Sequence, residues 1–228
     1  MSTTDGTDME LEAALRRGAT GATGAAASLR AEAEAAAGRF AQAAERAELL
    51  DVAYGTVDSP FGPLLAAGSP RGLLRLAFPE EDPEAALETL ARRVSPRVLR
   101  APGRIDPLRR ELEGYFAGRL RRFATPVDWA LVGPFGRRVL AAASGIPYGG
   151  VLTYTEVAAQ AGSPRGSRAA GNALGSNPVP IVVPCHRVLR SGGGLGGYAG
   201  GLERKRWLLE LEGALAPADG PPAPGLSR

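Results

Sequence analysis

The chain has 228 residues, 44% of them hydrophobic, and a formal net charge of +3. This length and hydrophobic content can build a sizeable core in one or two domains, which excludes a disordered or fibrous protein. One cysteine and one histidine exclude an internal disulfide framework and leave too few soft ligands for most transition-metal sites, so we expect neither a metal nor a cofactor.

The distribution of apolar and charged residues bears on location and partners. No apolar run approaches the roughly 20 residues of a transmembrane helix, and the acidic opening MSTTDGTDMELEAAL lacks the order of a secretory signal. We therefore expect a soluble, cytoplasmic protein with no membrane partner. Residues 126–213 carry nine Lys and Arg against five Asp and Glu, an excess that fits an anionic partner such as nucleic acid.

Residues 1–50 are rich in Ala and Glu and contain few large apolar groups. The stretch SLRAEAEAAAGRFAQAAERAELL consists mainly of strong helix formers. We predict a helical or disordered extension, and a solvated spacer helix is favoured over a partner-binding helix.

From Asp51 the pattern changes to short strands separated by turns, in DVAYGTVDSPFGPLLAAG and GLLRLAF. Two helices follow, and each begins with an Asp-Pro pair, Asp82-Pro83 and then Asp106-Pro107. In each pair the aspartate is a candidate N-cap and the proline occupies the first helical position. Residues 51–124 are thus predicted to form a small domain of the α+β class, without a plausible set of catalytic groups.

Residues 125–213 form the predicted second domain. The pattern predicts a linker or strand for TPVDWALVG and a helix for FGRRVLAAASGI. A short helix, TEVAAQAG, follows with Thr153 or Thr155 as its cap, and a second begins at Ser163 and stops at Gly175. Two short helices around a glycine-containing turn indicate a helix-turn-helix, although a plain helical hairpin has the same pattern.

The second of these helices is composed almost entirely of small residues, in SPRGSRAAGNALGS. Small side chains let a backbone approach a neighbouring surface closely. Two interpretations stay open: close packing against another helix, or approach to a DNA groove too narrow for an ordinary recognition helix.

The lone cysteine and the lone histidine are neighbours, Cys185 and His186. IVV before Pro184 predicts a buried strand that ends abruptly, which places Cys185 at a strand terminus, and the neighbouring basic groups can lower a thiol pKa. Successive side chains of a strand point to opposite faces, so contact between the pair requires a turn or a bridging water. A distant carboxylate must orient the imidazole, and the candidates are Glu203, Glu210 and Glu212.

Three stretches are highly specific: PYGGVLTYTEVAAQAG, SRAAGNALGSNPVPIVVPCHRV and GGYAGGLERKRWLLELEG. They resemble the O6-alkylguanine-DNA alkyltransferases, also called methylated-DNA–protein-cysteine methyltransferases. The similarity is densest over residues 133–213, and DVAYGTVDSPFGPL with ELEGYFAG resembles the family's N-terminal domain. Residues 1–50 and residues 214–228 lie outside this similarity, and we expect residues 214–228 to be a disordered tail.

The resemblance implies the fold and the reaction. The fold would be α+β, with a small N-terminal α/β domain and a C-terminal, winged-helix-like alkyltransferase domain that contains the helix-turn-helix. The protein would bind the minor groove of double-stranded DNA as a monomer, flip O6-alkylguanine out of the duplex, and transfer the alkyl group to a cysteine. The same resemblance extends the substrates to O4-alkylthymine. The protein would be consumed, because a thioether has no easy route back to a thiolate.

The resemblance also assigns residues. Cys185 would accept the alkyl group, His186 would act as base through a water, Glu212 would orient His186, and Asn177 would tie the helical turn to the thiolate. Tyr154 would donate a hydrogen bond to the leaving guanine. DNA contacts would come from Tyr154 and from Arg168, Ala169 and Gly171, with Arg168 filling the space left by the flipped base. The substrate pocket would be formed by Pro184, Val188, Tyr198, Ala199 and Gly200.

Three positions depart from the pattern of many relatives. Asn172 and Gly175 stand where relatives often have a glycine and a basic residue, and Ala199 replaces a hydroxyl residue. The alternatives that we weigh are a damage-sensing relative without repair activity, a cysteine hydrolase and a structural DNA-binding module. A cysteine is retained at position 185, which argues against the first, and adjacent nucleophile and base argue against the second.

Overall fold

The computed structural model describes residues 28–29, 31–33, 35–40, 43–44 and 50–216. The chain divides into two compact units, Met1–Glu48 and Leu49–Arg228. In the first unit, the described residues are helical, which agrees with the helix formers in this part of the sequence. The rest of the predicted extension, and residues 217–228 of the predicted tail, lie outside the described residues.

The second unit begins with a four-stranded mixed sheet. Its strands are β1 (Val52–Val57), β2 (Leu64–Ser69), β3 (Gly72–Ala77) and β4 (Val98–Arg100), in the order β3-β2-β1-β4. The first three pair antiparallel, and β4 lies parallel to β1. Gly72 has a φ of +139°, and a Cβ there would lie 2.4 Å from the carbonyl oxygen of Pro126. Only glycine fits where β3 meets this passing chain.

Two helices accompany the sheet, α1 (Pro83–Arg93) and α2 (Asp106–Phe116). The first begins as predicted, because Asp82 accepts a hydrogen bond from the Glu84 amide at 2.9 Å and Pro83 opens the helix. The predicted N-cap at Asp106 is wrong. A 3₁₀ turn (Pro102–Ile105) runs directly into α2, so Asp106 is already helical and its carboxylate bonds Arg109 instead.

The C-terminal part, as described up to residue 216, contains four helices and two short parallel strands. In chain order these are a 3₁₀ turn (Trp129–Leu131), α3 (Pro134–Ser144), β5 (Leu152–Thr153), α4 (Tyr154–Gln160), α5 (Ser167–Gly175), a 3₁₀ turn (Cys185–Arg187), β6 (Val188–Leu189) and α6 (Leu202–Leu211). Thr153 caps α4 in a capping box with Glu156, as one of the two predicted caps. The predicted cap at Ser163 is wrong, because Ser163 lies in the preceding turn and α5 begins four residues later.

The segment before the cysteine, residues 179–184, is not the predicted strand. It holds only an isolated bridge between Pro180 and Val183, and Ile181 adopts a φ of 73° although it is fully buried. Prolines at positions 178, 180 and 184 remove amide donors that a sheet ladder requires. Cys185 therefore does not end a strand but starts a 3₁₀ turn.

One hydrophobic core joins the sheet to the C-terminal helices. It includes Leu76 of β3, Tyr115 of α2, Leu140 of α3 and Val157 of α4. The amide of Leu76 also donates to the carbonyl of Pro178 at 2.8 Å, so the edge of the sheet fixes the segment that leads to Cys185. The α+β class predicted from the sequence is confirmed. No helix among the described residues is long and apolar enough to span a membrane.

Candidate active site

The thiol of Cys185 lies in a buried polar contact with Asn177. Only 5% of Cys185 is exposed. The Nδ2 of Asn177 donates to Sγ at 3.1 Å and to the carbonyl of Val183 at 2.9 Å, while Oδ1 accepts from the amide of Val179 at 3.1 Å. Asn177 follows the end of α5, so one amide side chain joins that helix to the sulfur.

Burial raises the pKa of the Cys185 thiol to about 11, although the Asn177 hydrogen bond and the charge of Lys205 act in the opposite direction. At neutral pH the free protein therefore holds the thiol form. The nucleophile is the thiolate, so the site needs a group that takes the proton.

His186 is fully buried and points one ring nitrogen at Glu212. Its Nε2 lies 2.9 Å from Oε1 of Glu212. Burial lowers the pKa of His186 in spite of this carboxylate, so the ring is neutral near pH 7. A carboxylate can only accept hydrogen bonds, which assigns the proton to Nε2 and leaves Nδ1 with a free lone pair. Nδ1 has no hydrogen-bond partner within the described part of the chain, and a base requires such a nitrogen.

Glu212 is held as a carboxylate by several donors. Arg187 donates from Nε and Nη2 at 2.8 and 2.9 Å, and the hydroxyl of Tyr115 donates at 2.6 Å. Burial by itself would raise the pKa of Glu212, but the hydrogen bonds from His186 and Arg187 outweigh it and lower that pKa to about 2. Of the three candidate glutamates, Glu212 is the one that reaches His186. Glu203 is exposed, and Glu210 faces Arg206 at 3.8 Å.

Lys205 is a second buried charge close to the thiol. Its Nζ donates to the carbonyls of Val188 at 2.6 Å, of Leu195, and of Gly197 at 3.3 Å. Burial lowers the pKa of Lys205 to about 8, while the negative charge of the Cys185 thiolate form acts to raise it. A cation here favours the thiolate, and its three carbonyl partners tie residues 195–197 to β6.

A cavity of about 420 Å³ opens above the sulfur. The hydroxyl of Tyr154 donates to the carbonyl of Gly197 at 3.3 Å on one side, and the hydroxyl of Tyr198 is buried without a hydrogen-bond partner among the described residues. The residues that line the cavity come from α4, α5, the cysteine turn and the loop before α6: Tyr154, Ser167, Arg168, Gly171, Asn172, Leu174, Gly175, Cys185, Arg190, Gly197 and Tyr198.

The structure brings only part of the predicted site to this cavity. Cys185, Tyr154, Arg168, Gly171 and Tyr198 line it, and so do Asn172 and Gly175, two of the three positions that depart from the pattern of relatives. Asn177, His186 and Glu212 do not line it but are buried, and Asn177 contacts the sulfur.

The other predicted pocket residues lie elsewhere. Pro184 lines a different cleft, and Val188 is buried with its carbonyl bonded to Lys205. Ala169 and Ala199 are exposed and line a neighbouring cavity of about 820 Å³. Gly200 is buried, and a Cβ there would lie 2.6 Å from the Phe78 ring.

The sequence-based predictions lack several residues of the site. In the buried network these are Tyr115, Lys205 and Arg187 as a partner of Glu212, and in the cavity lining they are Ser167, Leu174, Arg190 and Gly197. The involvement of Arg187 could have been predicted from the sequence, since it follows the Cys-His pair directly. Nothing in the sequence indicates the role of Tyr115, because it reaches Glu212 across 97 positions of the chain. Within the described residues, no group of three or more His, Cys, Asp and Glu side chains is arranged to hold a metal ion.

Two protein-family models match adjoining parts of the chain. Residues 52–129 match the 6-O-methylguanine DNA methyltransferase, ribonuclease-like domain. Residues 134–214 match the 6-O-methylguanine DNA methyltransferase, DNA binding domain. Together the two matches span more than half of the chain.

Individual relatives agree with these matches. A methylated-DNA–protein-cysteine methyltransferase of Mycobacterium bovis is 44% identical over 167 residues, which are 73% of this chain and 95% of the relative. One from Methanosarcina acetivorans is 40% identical over 71% of this chain and 98% of its own length. The crystal structure of Mycobacterium tuberculosis O6-methylguanine methyltransferase has a TM-score of 0.62 at 42% identity and covers 74% of this chain and 96% of that chain. A structure of Mycobacterium tuberculosis OGT in complex with DNA has a TM-score of 0.62 at 41% identity, covering 73% and 96%.

The fold and the site together define a cysteine-dependent alkyltransferase of the α+β class. The chain belongs to the 6-O-methylguanine DNA methyltransferase family, which confirms the resemblance seen in the sequence. Its enzyme class is methylated-DNA–protein-cysteine methyltransferase, and its role is DNA repair by alkyl transfer.

Proposed function

We propose that this protein repairs O6-alkylguanine in duplex DNA by moving the alkyl group to Sγ of Cys185 once per molecule. The observation that carries this proposal is that Cys185 lines an open cavity while the next residue, His186, forms a buried hydrogen-bonded pair with Glu212. An acceptor thiol needs access on one side and a route for its proton on the other.

The chemical step follows from these groups. A water passes the thiol proton to Nδ1 of His186, and Glu212 stabilises the resulting imidazolium. The thiolate attacks the alkyl carbon, an S–C bond forms, and the C–O6 bond breaks with its electron pair on the guanine. Tyr154 donates a hydrogen bond to the developing negative charge. The proton from the thiol ends on the guanine, so the products are neutral guanine and a thioether.

The thioether explains single use. No base in the site can remove the alkyl group from the sulfur, and no second thiol exists in the sequence. The proposed substrates also include O4-alkylthymine, which presents the same alkyl–oxygen bond on a flipped base.

The DNA-binding role falls to α4 and α5, acting as a helix-turn-helix in the minor groove. Ala169 and Gly171 lie on a helix of small residues that can approach the groove closely, and Arg168 is exposed at its first turn. Base flipping places the lesion in the cavity, with Arg168 in the vacated space. The relative that was solved with DNA supports a DNA partner. We propose that one monomer acts at each lesion, in the cytoplasm.

The proposed pocket has an inner and an outer part. Tyr154 and Tyr198 hold the base, and the backbone carbonyls of Cys185 and Val188 read its amino group. The Val188 carbonyl already accepts from Lys205, but a carbonyl oxygen has a second lone pair. Ala199 and Gly200 lie in the loop next to Tyr198, and Pro184 precedes the turn that carries Cys185. The proposed domains are 51–124 and 125–213, with 1–50 and 214–228 as extensions.

Mass spectrometry of the cysteine peptide tests the function. The protein is incubated with duplex oligonucleotide containing O6-methylguanine, and the peptide with Cys185 is weighed. We expect the mass of one methyl group per molecule, no second turnover, and no transfer by Cys185→Ala. A lesion that disappears while the thiol stays unmodified contradicts the proposal, as does a lesion that persists.

A further inference from the structure

The loop that carries Tyr198 packs against the end of the N-terminal sheet. We call residues 198–200 the pocket loop and residues 78–81, which follow β3, the β3 exit segment. The pocket loop is closed by a hydrogen bond from the Gly201 amide to the Tyr198 carbonyl at 3.0 Å. The exit segment is closed by the Glu81 amide on the Phe78 carbonyl, also at 3.0 Å. Each segment therefore has a fixed backbone.

Arg204, on the first turn of α6, links these two segments. Its guanidinium donates to Glu80 from both Nη atoms, at 2.9 Å for the Nη1–Oε2 pair, and Nη1 also donates to the carbonyl of Gly200 at 3.1 Å. The guanidinium carbon lies 4.8 Å from the centre of the Phe78 ring and 5.6 Å from that of Phe61. A planar cation that stacks and donates in several directions suits arginine and not lysine.

The packing continues from Arg204 and its partners to the cavity that Cys185 lines. The Phe78 and Tyr198 rings meet edge to face with centroids 6.1 Å apart, and Tyr198 meets the His186 ring at 6.4 Å. A Cβ on Gly200 would lie 2.6 Å from the Phe78 ring and 2.7 Å from that of Tyr198. No space is left between the two segments, so displacement of Phe78 must displace the Tyr198 wall.

We propose that Arg204 is a positioning residue that uses the N-terminal domain to set the Tyr198 wall of the alkyl pocket. This inference rests on the proposed function, in which that cavity holds the alkylated base. Arg204 does not line the cavity, so it acts through Gly200 and Phe78. The N-terminal domain, which contributes no residue to the cavity lining, thereby determines how large an alkyl group the pocket accepts.

The test compares Arg204→Met with wild type and with Arg206→Met. Methionine keeps a long apolar stem but removes the charge and the donors. Arg206 is on the same helix, half exposed, and faces Glu210 at 3.8 Å, which makes it a matched control. Second-order rate constants are measured for O6-methylguanine in duplex DNA and for free O6-benzylguanine, together with the Kd for unmodified duplex.

We expect Arg204→Met to slow methyl transfer about 10-fold, since small displacements of a positioned wall are costly in rate. The benzyl-to-methyl rate ratio should rise by about threefold or more, because a displaced wall admits the larger group, while the Kd for unmodified duplex stays within about twofold. Arg204→Lys keeps the charge but not the planar fork, so its rate ratio should lie between those of wild type and Arg204→Met. Arg206→Met should match wild type.

The rate ratio is decisive because a loss of folded protein lowers both rate constants by the same factor. An unchanged ratio in folded Arg204→Met overturns the proposal. If that variant does not fold, Glu80→Gln takes its place, since the Glu80 side chain is 64% exposed, and an unchanged ratio there has the same consequence. Failure of the proposed function is recognised separately, because wild type itself would then take up no methyl group.

Discussion

The hydroxyl of Tyr115 donates to Oε1 of Glu212 at 2.6 Å, and this bond connects α2 of the N-terminal domain to the end of α6. Oε1 is also the atom that faces Nε2 of His186. The N-terminal domain is therefore part of the hydrogen-bond network that orients the proposed base.

Tyr115→Phe tests this connection. Loss of a hydrogen bond to a buried carboxylate should lower the free energy of unfolding by about 2 kcal/mol, and alkyl transfer should slow because Glu212 holds His186 less firmly. Urea denaturation and single-turnover kinetics give the two values. Tyr148→Phe is the control, because that hydroxyl donates to the Leu211 carbonyl at 2.9 Å. Equal transfer rates for the two variants would show that Tyr115 has no part in the network.

Acid should destabilise the protein in a defined pH range. Burial acts to raise the pKa of Glu212 from its ordinary value of 4.5, but hydrogen bonds from His186 and Arg187 outweigh it and lower this pKa to about 2. This stability is fully present above pH 4.5 and is lost as pH falls towards 2, and its size is about 3 kcal/mol. Burial lowers the pKa of His186 below 6.5, so the unfolded chain binds a proton first and stability already starts to fall there.

Denaturation midpoints measured from about pH 7 down to pH 3 check this expectation, with Glu212→Gln for comparison. That variant should lose about 3 kcal/mol at neutral pH, because Arg187 is left buried without its carboxylate. Its stability should also fall less steeply below pH 4.5, since the titrating group is gone. Parallel curves for wild type and variant would contradict the role of Glu212.

The free thiol should behave as a weak nucleophile towards a small reagent. Burial raises the pKa of Cys185 to about 11, so the thiolate fraction should increase about tenfold per pH unit near neutrality. The iodoacetamide alkylation rate, followed by mass spectrometry between about pH 6.5 and 8, should show that slope. Asn177→Ala removes a hydrogen bond that lowers this pKa and should react more slowly. A rate that is already constant over this range would mean a thiolate in the resting site.

Local signals in the sequence account for the successful predictions of structure. Asp82 and Thr153 cap their helices through contacts within a few residues, which sequence spacing can show. The strand predicted before Cys185 failed because apolar residues there suggested burial correctly, while the intervening prolines prevent a ladder. Burial and strand geometry are separate properties, and hydrophobicity reports the first.

The site was predictable where a motif contains it and not where distant elements meet. Cys185 and His186 are adjacent, so their involvement follows from the sequence, but the choice of Glu212 over Glu203 and Glu210 depends on how α6 ends. Lys205 gave no signal, because a lysine between two arginines in a helix is usually solvated. Its burial follows from three carbonyls that the fold brings to it.

Two arginines at the cavity should affect DNA repair in different ways. Arg168 is the second residue of α5, Arg190 follows β6, and both line the cavity. A tight turn fixes the backbone of Arg190, whose amide donates to the Gly194 carbonyl at 2.8 Å. Burial raises the pKa of Tyr154, and the charge of Arg190 acts to lower it. Arg190 and Tyr154 therefore lie close together in the cavity lining, and under the proposed function we expect Arg190 to contact a phosphate of the flipped nucleotide.

Arg190→Ala should weaken duplex binding and reduce the slope of log K against log salt by about 1, as expected for one lost phosphate contact. Arg168→Ala should instead slow repair of duplex DNA much more than reaction with free O6-benzylguanine, because only the duplex requires the vacated space to be filled. Arg119→Ala, an exposed arginine outside the cavity lining, is the control for general charge. Fluorescence anisotropy at several salt concentrations gives the slopes, and single-turnover assays give the rates. Equal losses on both substrates for Arg168→Ala would rule out the flipping role, and a slope for Arg190→Ala equal to that of Arg119→Ala would rule out the phosphate contact.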